Sequence, residues 1–146
     1  MSDQRVVGPL GRLVAVREAG IDRLKREFGR KEALRERYRT NLRTMQQLFD
    51  EAGKGVGTAC AELSLNRLGY RQGLLDMIAA HREALQLHEA DMAVDRQRLL
   101  DESVRCEIWR RELQKREATL DLSRERRAQR VQDELAAQTR YRGGRM

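Results

Sequence analysis

The stretch that decides the fold covers residues 78–120 and reads IAAHREALQLHEADMAVDRQRLLDESVRCEIWRRELQKREATL. One apolar column recurs there at every seventh position: Ile78, Leu85, Met92, Leu99, Cys106, Leu113 and Leu120. A seven-residue repeat held over this length is typical of a coiled-coil helix, which buries one narrow stripe against a partner helix. A β-strand would instead show alternation with a period of two residues. The stretch therefore predicts a long helix that packs against another helix.

The second interface column of this helix is mixed in character. Its members, again seven residues apart, are Leu74, His81, His88, Asp95, Glu102, Trp109 and Arg116. One column of the interface is therefore apolar, and the other column contributes fewer apolar contacts. Between Asn66 and Tyr141 there is no proline, and glycine occurs only at Gly69 and Gly73, so few residues oppose a helix. We predict that the second helix runs from about residue 67 to about residue 141.

An earlier segment supplies the partner helix. Its interface positions recur in alternating steps of four and three: Leu10, Val14, Arg17, Ile21, Leu24, Phe28, Lys31, Arg35, Tyr38, Leu42, Met45 and Phe49. Three of them, Arg17, Lys31 and Arg35, are charged, and such positions lower stability but help to fix how the two helices align. Pro9 suits a first helical turn. We predict a frayed end over residues 1–8 and a helix over about residues 10–50.

The loop between the helices is predicted over residues 51–66. Gly53, Gly55 and Gly57 lie within five positions, and glycine both weakens a helix and permits a sharp reversal. A reversal near residue 58 makes the helices antiparallel. The predicted fold is therefore an all-α, antiparallel coiled-coil hairpin that forms a single domain over residues 1–146.

Composition agrees with this fold. Charged residues make up 36% of the chain and aromatic residues only 4%. A globular core needs many large apolar side chains, whereas a narrow seam between two long helices needs far fewer. The charged and unbranched residues that dominate the chain are also good helix formers.

Charge is distributed unevenly along the chain. Residues 1–50 carry 12 basic against 7 acidic side chains, residues 51–104 carry 6 against 9, and residues 105–146 carry 12 against 7. An antiparallel hairpin would place the two basic segments together at one end. The helix after Trp109 would project past the first helix there, with few tertiary contacts of its own. This end is predicted to suit an acidic partner.

No enzyme signature is present, so no catalytic residue, cofactor or metal site is predicted. The segment Gly53-Lys54-Gly55 lacks the spacing and the preceding strand of a phosphate-binding loop. His81 and His88 lie seven residues apart on one helix face without further clustered ligands, which favours polar interface residues over a metal site. Acidic side chains interleave with the arginines and few aromatics are available for stacking, which argues against nucleic-acid binding.

Cysteine usage and hydropathy indicate the cellular compartment of the protein. Cys60 and Cys106 are 46 residues apart and show no metal-ligand spacing. No signal peptide or long apolar run is visible, so we expect a reduced, soluble, cytoplasmic protein without membrane insertion.

A second apolar series lies nearly opposite the main column of the second helix. Its members are Ala80, Leu87, Val94, Ile108 and Leu122, with Asp101 and Lys115 between them. Scattered surface apolar residues and a docking face for another protein both explain it. The sequence alone leaves these two interpretations open.

Several short motifs, taken in order, resemble the FliJ family of flagellar type III export proteins, with its YscO-type injectisome counterparts. They are Leu10-x-x-Leu13-Val14-x-Val16-Arg17-Glu18, Asn66-Arg67, His81-Arg82 followed by Leu85, the single mid-helix Trp109, and Asp133-Glu134-Leu135-Ala136. The resemblance covers most of the chain. It implies an antiparallel coiled coil similar to that of the rotary ATPase γ subunit.

The resemblance also implies the function of a cytoplasmic stalk protein, peripheral at the inner membrane when assembled. Its partners would be a hexameric export ATPase, whose ring receives the paired termini, an export gate membrane protein, and substrate chaperones. A flagellar system is favoured over an injectisome. The alternatives from other classes are a free-standing coiled-coil scaffold or dimerisation protein and, less favoured, a basic nucleic-acid-binding rod.

Candidate binding residues follow from the family motifs. The gate-binding pattern of an aromatic, a leucine, a small apolar residue and a histidine matches Tyr70, Leu74, Met77 and His81, a spacing that shares one helix face. A second family face on the first helix matches Leu42, Met45 and Phe49. Both sets overlap the predicted interface, so burial between the helices is the competing explanation. The candidate ATPase-binding basic end comprises Arg12, Arg17, Arg124, Arg126, Arg127 and Arg130.

Overall fold

The computed structural model describes the backbone of residues 2–54 and 61–144, with side chains from residue 4 onward. Within these residues the chain forms two helices and no strand: α1, Ser2–Lys54, and α2, Ala61–Gly143. The two helices pack against each other through long-range contacts. The prediction of an all-α helical hairpin is confirmed.

Both helices are longer than the sequence predicted. α1 starts at Ser2 instead of near residue 10, so Pro9 lies inside it. The lost Pro9 N–H would have bonded the carbonyl of Arg5, an exposed residue whose carbonyl water can reach, so the helix continues through the proline. α2 starts at Ala61 because Ala, Glu and Leu there are good helix formers. The predicted reversal near residue 58 lies outside the described residues, as do Gly55 and Gly57.

Contacts divide the chain into two compact units. Unit 1 comprises Met1–Ile21 with Asp101–Met146, and unit 2 comprises Asp22–Leu100. Each unit therefore contains part of α1 and part of α2. The predicted single domain over residues 1–146 stays a prediction.

The helices of unit 2 run antiparallel. The Arg71 guanidinium lies 4.3 Å from the centre of the Phe49 ring, and Lys31 Nζ lies 2.6 Å from Asp91 Oδ2. Residue numbers therefore fall along α1 as those of their partners rise along α2, which is the arrangement of a hairpin.

The predicted seven-residue column lies at the interface. Ile78 and Met92 are 3% exposed and Cys106 is 1% exposed, and the four other members are half-buried. All twelve predicted interface positions of α1 are buried or half-buried, with Leu10, Val14 and Met45 the most deeply buried. The narrow apolar stripe inferred from the repeat is therefore the core of both units.

Two of the three charged interface positions of α1 meet carboxylates of α2. In unit 1, Arg17 Nη1 lies 3.6 Å from Glu102 Oε2. In unit 2, Lys31 Nζ donates to Asp91 at 2.6 Å and also to Asp95. The mixed column of α2 thus supplies acids opposite the cations of α1, which favours one alignment of the helices over others.

The Lys31 contact predicts a pH dependence of stability. Hydrogen bonding to Asp91, then to Asp95, raises the pKa of Lys31, and the bond from Lys31 lowers the pKa of Asp91. The aspartate contribution is present above the ordinary pKa of 3.8 and is lost as pH falls through the lowered folded-state pKa. The lysine contribution is present below 10.5 and is lost as pH rises through the raised folded-state pKa.

We therefore expect Asp91→Asn to lower the melting temperature at neutral pH and to match the unsubstituted protein in strong acid. Thermal melts followed by circular dichroism across pH measure this difference. Asp22→Asn is the control, because Asp22 is exposed. A deficit of Asp91→Asn that persisted at the lowest pH would mean that the carboxylate charge is not its cause.

Candidate partner-binding surfaces

The last part of α2 has no buried side chain. Every residue from Arg124 to Gly144 is exposed, including Val131, Leu135 and Tyr141, although residues up to Gly143 are helical. We call residues 124–144 the C-terminal segment. A helix without a packed face gains little from tertiary contacts. Val131 and Leu135 therefore present apolar surface to solvent.

The C-terminal segment is basic. It carries six arginines against three acidic residues. Arg126, Arg127 and Arg130 line one shallow groove on α2 together with Thr119, Leu122 and Ser123. Arg124 instead lies 3.7 Å from the carboxylate of Asp121. Three of the four predicted arginines therefore share one surface, and the fourth is partly neutralised.

The two candidate arginines of α1 differ from each other. Arg12 is exposed, whereas Arg17 is half-buried and paired with Glu102. Alignment of the helices accounts for Arg17 without an external partner. Nearby, Arg110 Nη2 lies 2.7 Å from Glu18 Oε1, a link between the helices of unit 1 that sequence reasoning missed. The only sequence signal for this link is the opposite charge of the two residues, and the sequence does not show which acid faces which arginine.

The four candidate gate-binding residues are unequally accessible. Tyr70 and Met77 are half exposed, at 50% and 52%, whereas Leu74 is buried at 6%. His81 is half-buried, and its ring meets that of Tyr38 edge-on at 6.2 Å between centroids. The exposed part of this predicted face therefore consists of Tyr70 and Met77, while Leu74 packs in the interface.

The three candidate residues on α1 all take part in helix packing. Met45 is buried, and Leu42 and Phe49 are half-buried. The Arg71 guanidinium covers the Phe49 ring, an arrangement that is stabilised by cation–π attraction. Burial between the helices therefore accounts for the presence of this set.

His81 and His88 both pack around Tyr38. His81 Nδ1 lies 3.1 Å from the Met77 carbonyl oxygen, and His88 Nε2 lies 2.7 Å from the Lys31 carbonyl oxygen. A carbonyl only accepts, so His88 donates through Nε2 to the backbone of the other helix. In the part of the chain that the structure describes, no group of three or more His, Cys, Asp or Glu could hold a metal ion.

The second apolar series is exposed. Leu87, Val94, Ile108 and Leu122 each expose more than half of their surface, and Ala80 is exposed as well. Within the residues described, α1 does not cover them. This exposure is compatible with both interpretations that the sequence left open.

The fold and these surfaces define a class: an antiparallel helical hairpin with exposed apolar and basic helix faces. The family model described as flagellar FliJ protein matches residues 6–145, and the chain belongs to this family. The family consists of non-catalytic components of the flagellar export apparatus. Comparison with curated proteins and with solved structures gave no match. Neither described helix combines the length and apolarity that crossing a membrane requires.

Proposed function

We propose that this chain is the stalk or accessory protein of a type III export ATPase complex, flagellar in preference to an injectisome. The observation that carries the proposal is the exposed, basic C-terminal segment. A helix whose side chains are exposed, and not packed on α1, suits insertion into a ring. Arginines at Arg126, Arg127 and Arg130 suit an acidic lining in that ring. The proposed location is cytoplasmic and peripheral at the inner membrane.

The test is co-purification of the full chain with the hexameric export ATPase, together with the rate of ATP hydrolysis. We expect a complex and a faster rate. Self-association without any effect on the ATPase would instead favour a coiled-coil scaffold. Salt-sensitive binding to duplex nucleic acid alone would favour a nucleic-acid-binding protein. Substrate chaperones are further proposed partners, and the same assay with added chaperone tests them.

The second proposed contact is with the export gate protein, through the face of α2 around Tyr70. Tyr70 and Met77 supply the exposed surface of this face, and His81 borders it. Leu74 and the α1 residues Leu42, Met45 and Phe49 would support the face from within. An exposed aromatic beside a flexible thioether is a common anchor for another protein.

We expect Tyr70→Ala with Met77→Ala to weaken gate binding by about tenfold or more while leaving helicity unchanged. Binding is measured by calorimetry with the soluble part of the gate protein, and helicity by circular dichroism. Leu74→Ala serves as the contrast, because removing a buried leucine lowers the melting temperature. If the Tyr70 and Met77 substitutions lowered helicity along with affinity, a packing role would replace the binding role.

A further inference from the structure

Arg35 differs from the other two charged interface positions of α1. Arg17 and Lys31 each meet a carboxylate of α2. Arg35 is half-buried and, among the described residues, pairs with no carboxylate. Its Nε is shielded from solvent without a hydrogen-bond acceptor, a feature that it shares with the Nε atoms of Arg17 and Arg71. A shielded guanidinium N–H without an acceptor loses its hydration without replacement. This site therefore lacks an acid that its counterparts have.

Arg35 lies at the edge of a groove on unit 2. The remaining lining comes from one face of α2 and consists of Glu89, Met92, Ala93, Arg96, Gln97 and Leu100. The floor is apolar: Met92 is buried, Ala93 is small, and Leu100 is 54% exposed. A small side chain at Ala93 lets another backbone approach closely. The groove thus combines an apolar floor with cationic edges.

The charge of this groove is not balanced from within. Arg96 lies over the Phe28 ring at 5.8 Å from its centre. The one acid in the lining, Glu89, accepts a hydrogen bond from Arg39 Nη2 at 3.0 Å. Arg35 and Arg96 therefore leave the groove with an excess of positive charge.

We propose that this groove binds an acidic amphipathic helix of a partner protein. Its carboxylates would accept hydrogen bonds from Arg35 and Arg96, since guanidinium groups recognise carboxylates by paired N–H donors. Its apolar side chains would pack on Ala93 and Leu100. A free small anion fits less well, because the apolar floor between the arginines would stay uncovered. The inference is independent of the proposed ATPase and gate contacts.

A stability measurement separates this role from an ordinary interface role. Replacing a shielded, unpaired charge by an apolar side chain of similar length is stabilising, whereas removing one partner of an ion pair is destabilising. We expect Arg35→Met to raise the melting temperature by roughly 2–4 °C, and Lys31→Met to lower it. A lower melting temperature for Arg35→Met would show that the arginine serves packing, and would overturn the proposal.

Binding is tested with two synthetic helical probes and the full chain. Both fluorescein-labelled peptides have three heptads with leucine at the interface positions, one flanked by glutamate and the other by lysine. We expect the acidic probe to bind at least about tenfold more tightly in fluorescence anisotropy titrations. Arg35→Met with Arg96→Met should reduce that affinity by about tenfold. The matched control is Arg37→Met with Arg98→Met, two exposed arginines outside the groove, which should change it less than about twofold.

Three outcomes of the solution experiments would also overturn the proposal. The first is equal binding of the acidic and basic probes or of neither probe. The second is an equal loss of affinity in the control variant, which would indicate general charge attraction. The third is self-association of the chain that disappears in the Arg35→Met, Arg96→Met variant, seen by sedimentation, which would assign the groove to a second copy.

Discussion

Reversal of Arg126, Arg127 and Arg130 to glutamate is expected to weaken binding to the export ATPase by about a hundredfold or more. The three side chains share one surface of the C-terminal segment, where none is buried. Each substitution removes an attraction to an acidic partner and adds a repulsion, so the change in charge is six units. Because exposed charges are screened by salt, the affinity of the unsubstituted protein should also fall as ionic strength rises.

The control variant for this experiment carries the same change in net charge on α1 instead of on the C-terminal segment. Arg23, Arg30 and Arg37 are exposed and seven residues apart on α1, and their reversal to glutamate should leave ATPase affinity within about threefold. Affinity is measured by surface plasmon resonance at several salt concentrations. An affinity that did not change with salt, or equal losses in the two triple variants, would exclude a specific contact through the C-terminal segment.

Introduction of a carboxylate at Ile78 is expected to unfold the hairpin. Ile78 is 3% exposed in the core of unit 2. Ile78→Asp removes its apolar contacts and would bury a charge without a partner, which together lower the free energy of unfolding by about 4 kcal/mol or more. A small domain is typically stable by only about 5–15 kcal/mol. Since long helices with so narrow an apolar stripe depend on each other, helicity should fall at the same time.

Leu87→Asp is the matched control on the same helix, because Leu87 is 67% exposed. It should change the free energy of unfolding by less than about 0.5 kcal/mol. Urea titration followed by circular dichroism measures both variants. Equal losses would mean that Leu87 is also buried in solution, and an unchanged Ile78→Asp would contradict the packing of α1 on α2.

The interface was predictable because coiled-coil burial follows sequence spacing closely. The repeat from Ile78 to Leu120 and the α1 series from Leu10 to Phe49 identify the residues that the structure buries. Helix ends were less predictable, since residues 51–54 and 61–66, which the glycines led us to predict as loop, are helical. Good helix formers after Ala61 outweighed that signal.

The accessibility of the candidate sites was not predictable from spacing. Four residues on one helix face, Tyr70, Leu74, Met77 and His81, divide between surface and interface, because the position of the partner helix decides which edge of that face is covered. The isolation of Arg35 could not be foreseen either. The sequence shows three cations at interface positions of α1 and several acids on α2, but only the packed helices show that Arg17 and Lys31 meet acids and that Arg35 does not.

The Lys31 contacts also limit sliding between the helices of unit 2. An apolar layer tolerates a shift of one heptad, since one aliphatic side chain then replaces another. The polar contacts do not, because the shift would take Asp91 and Asp95 away from Lys31 and leave Asp95 opposite Leu24. Different residues therefore determine stability and register. Aliphatic side chains hold the helices together, and the lysine and its aspartates select one of several otherwise equivalent pairings.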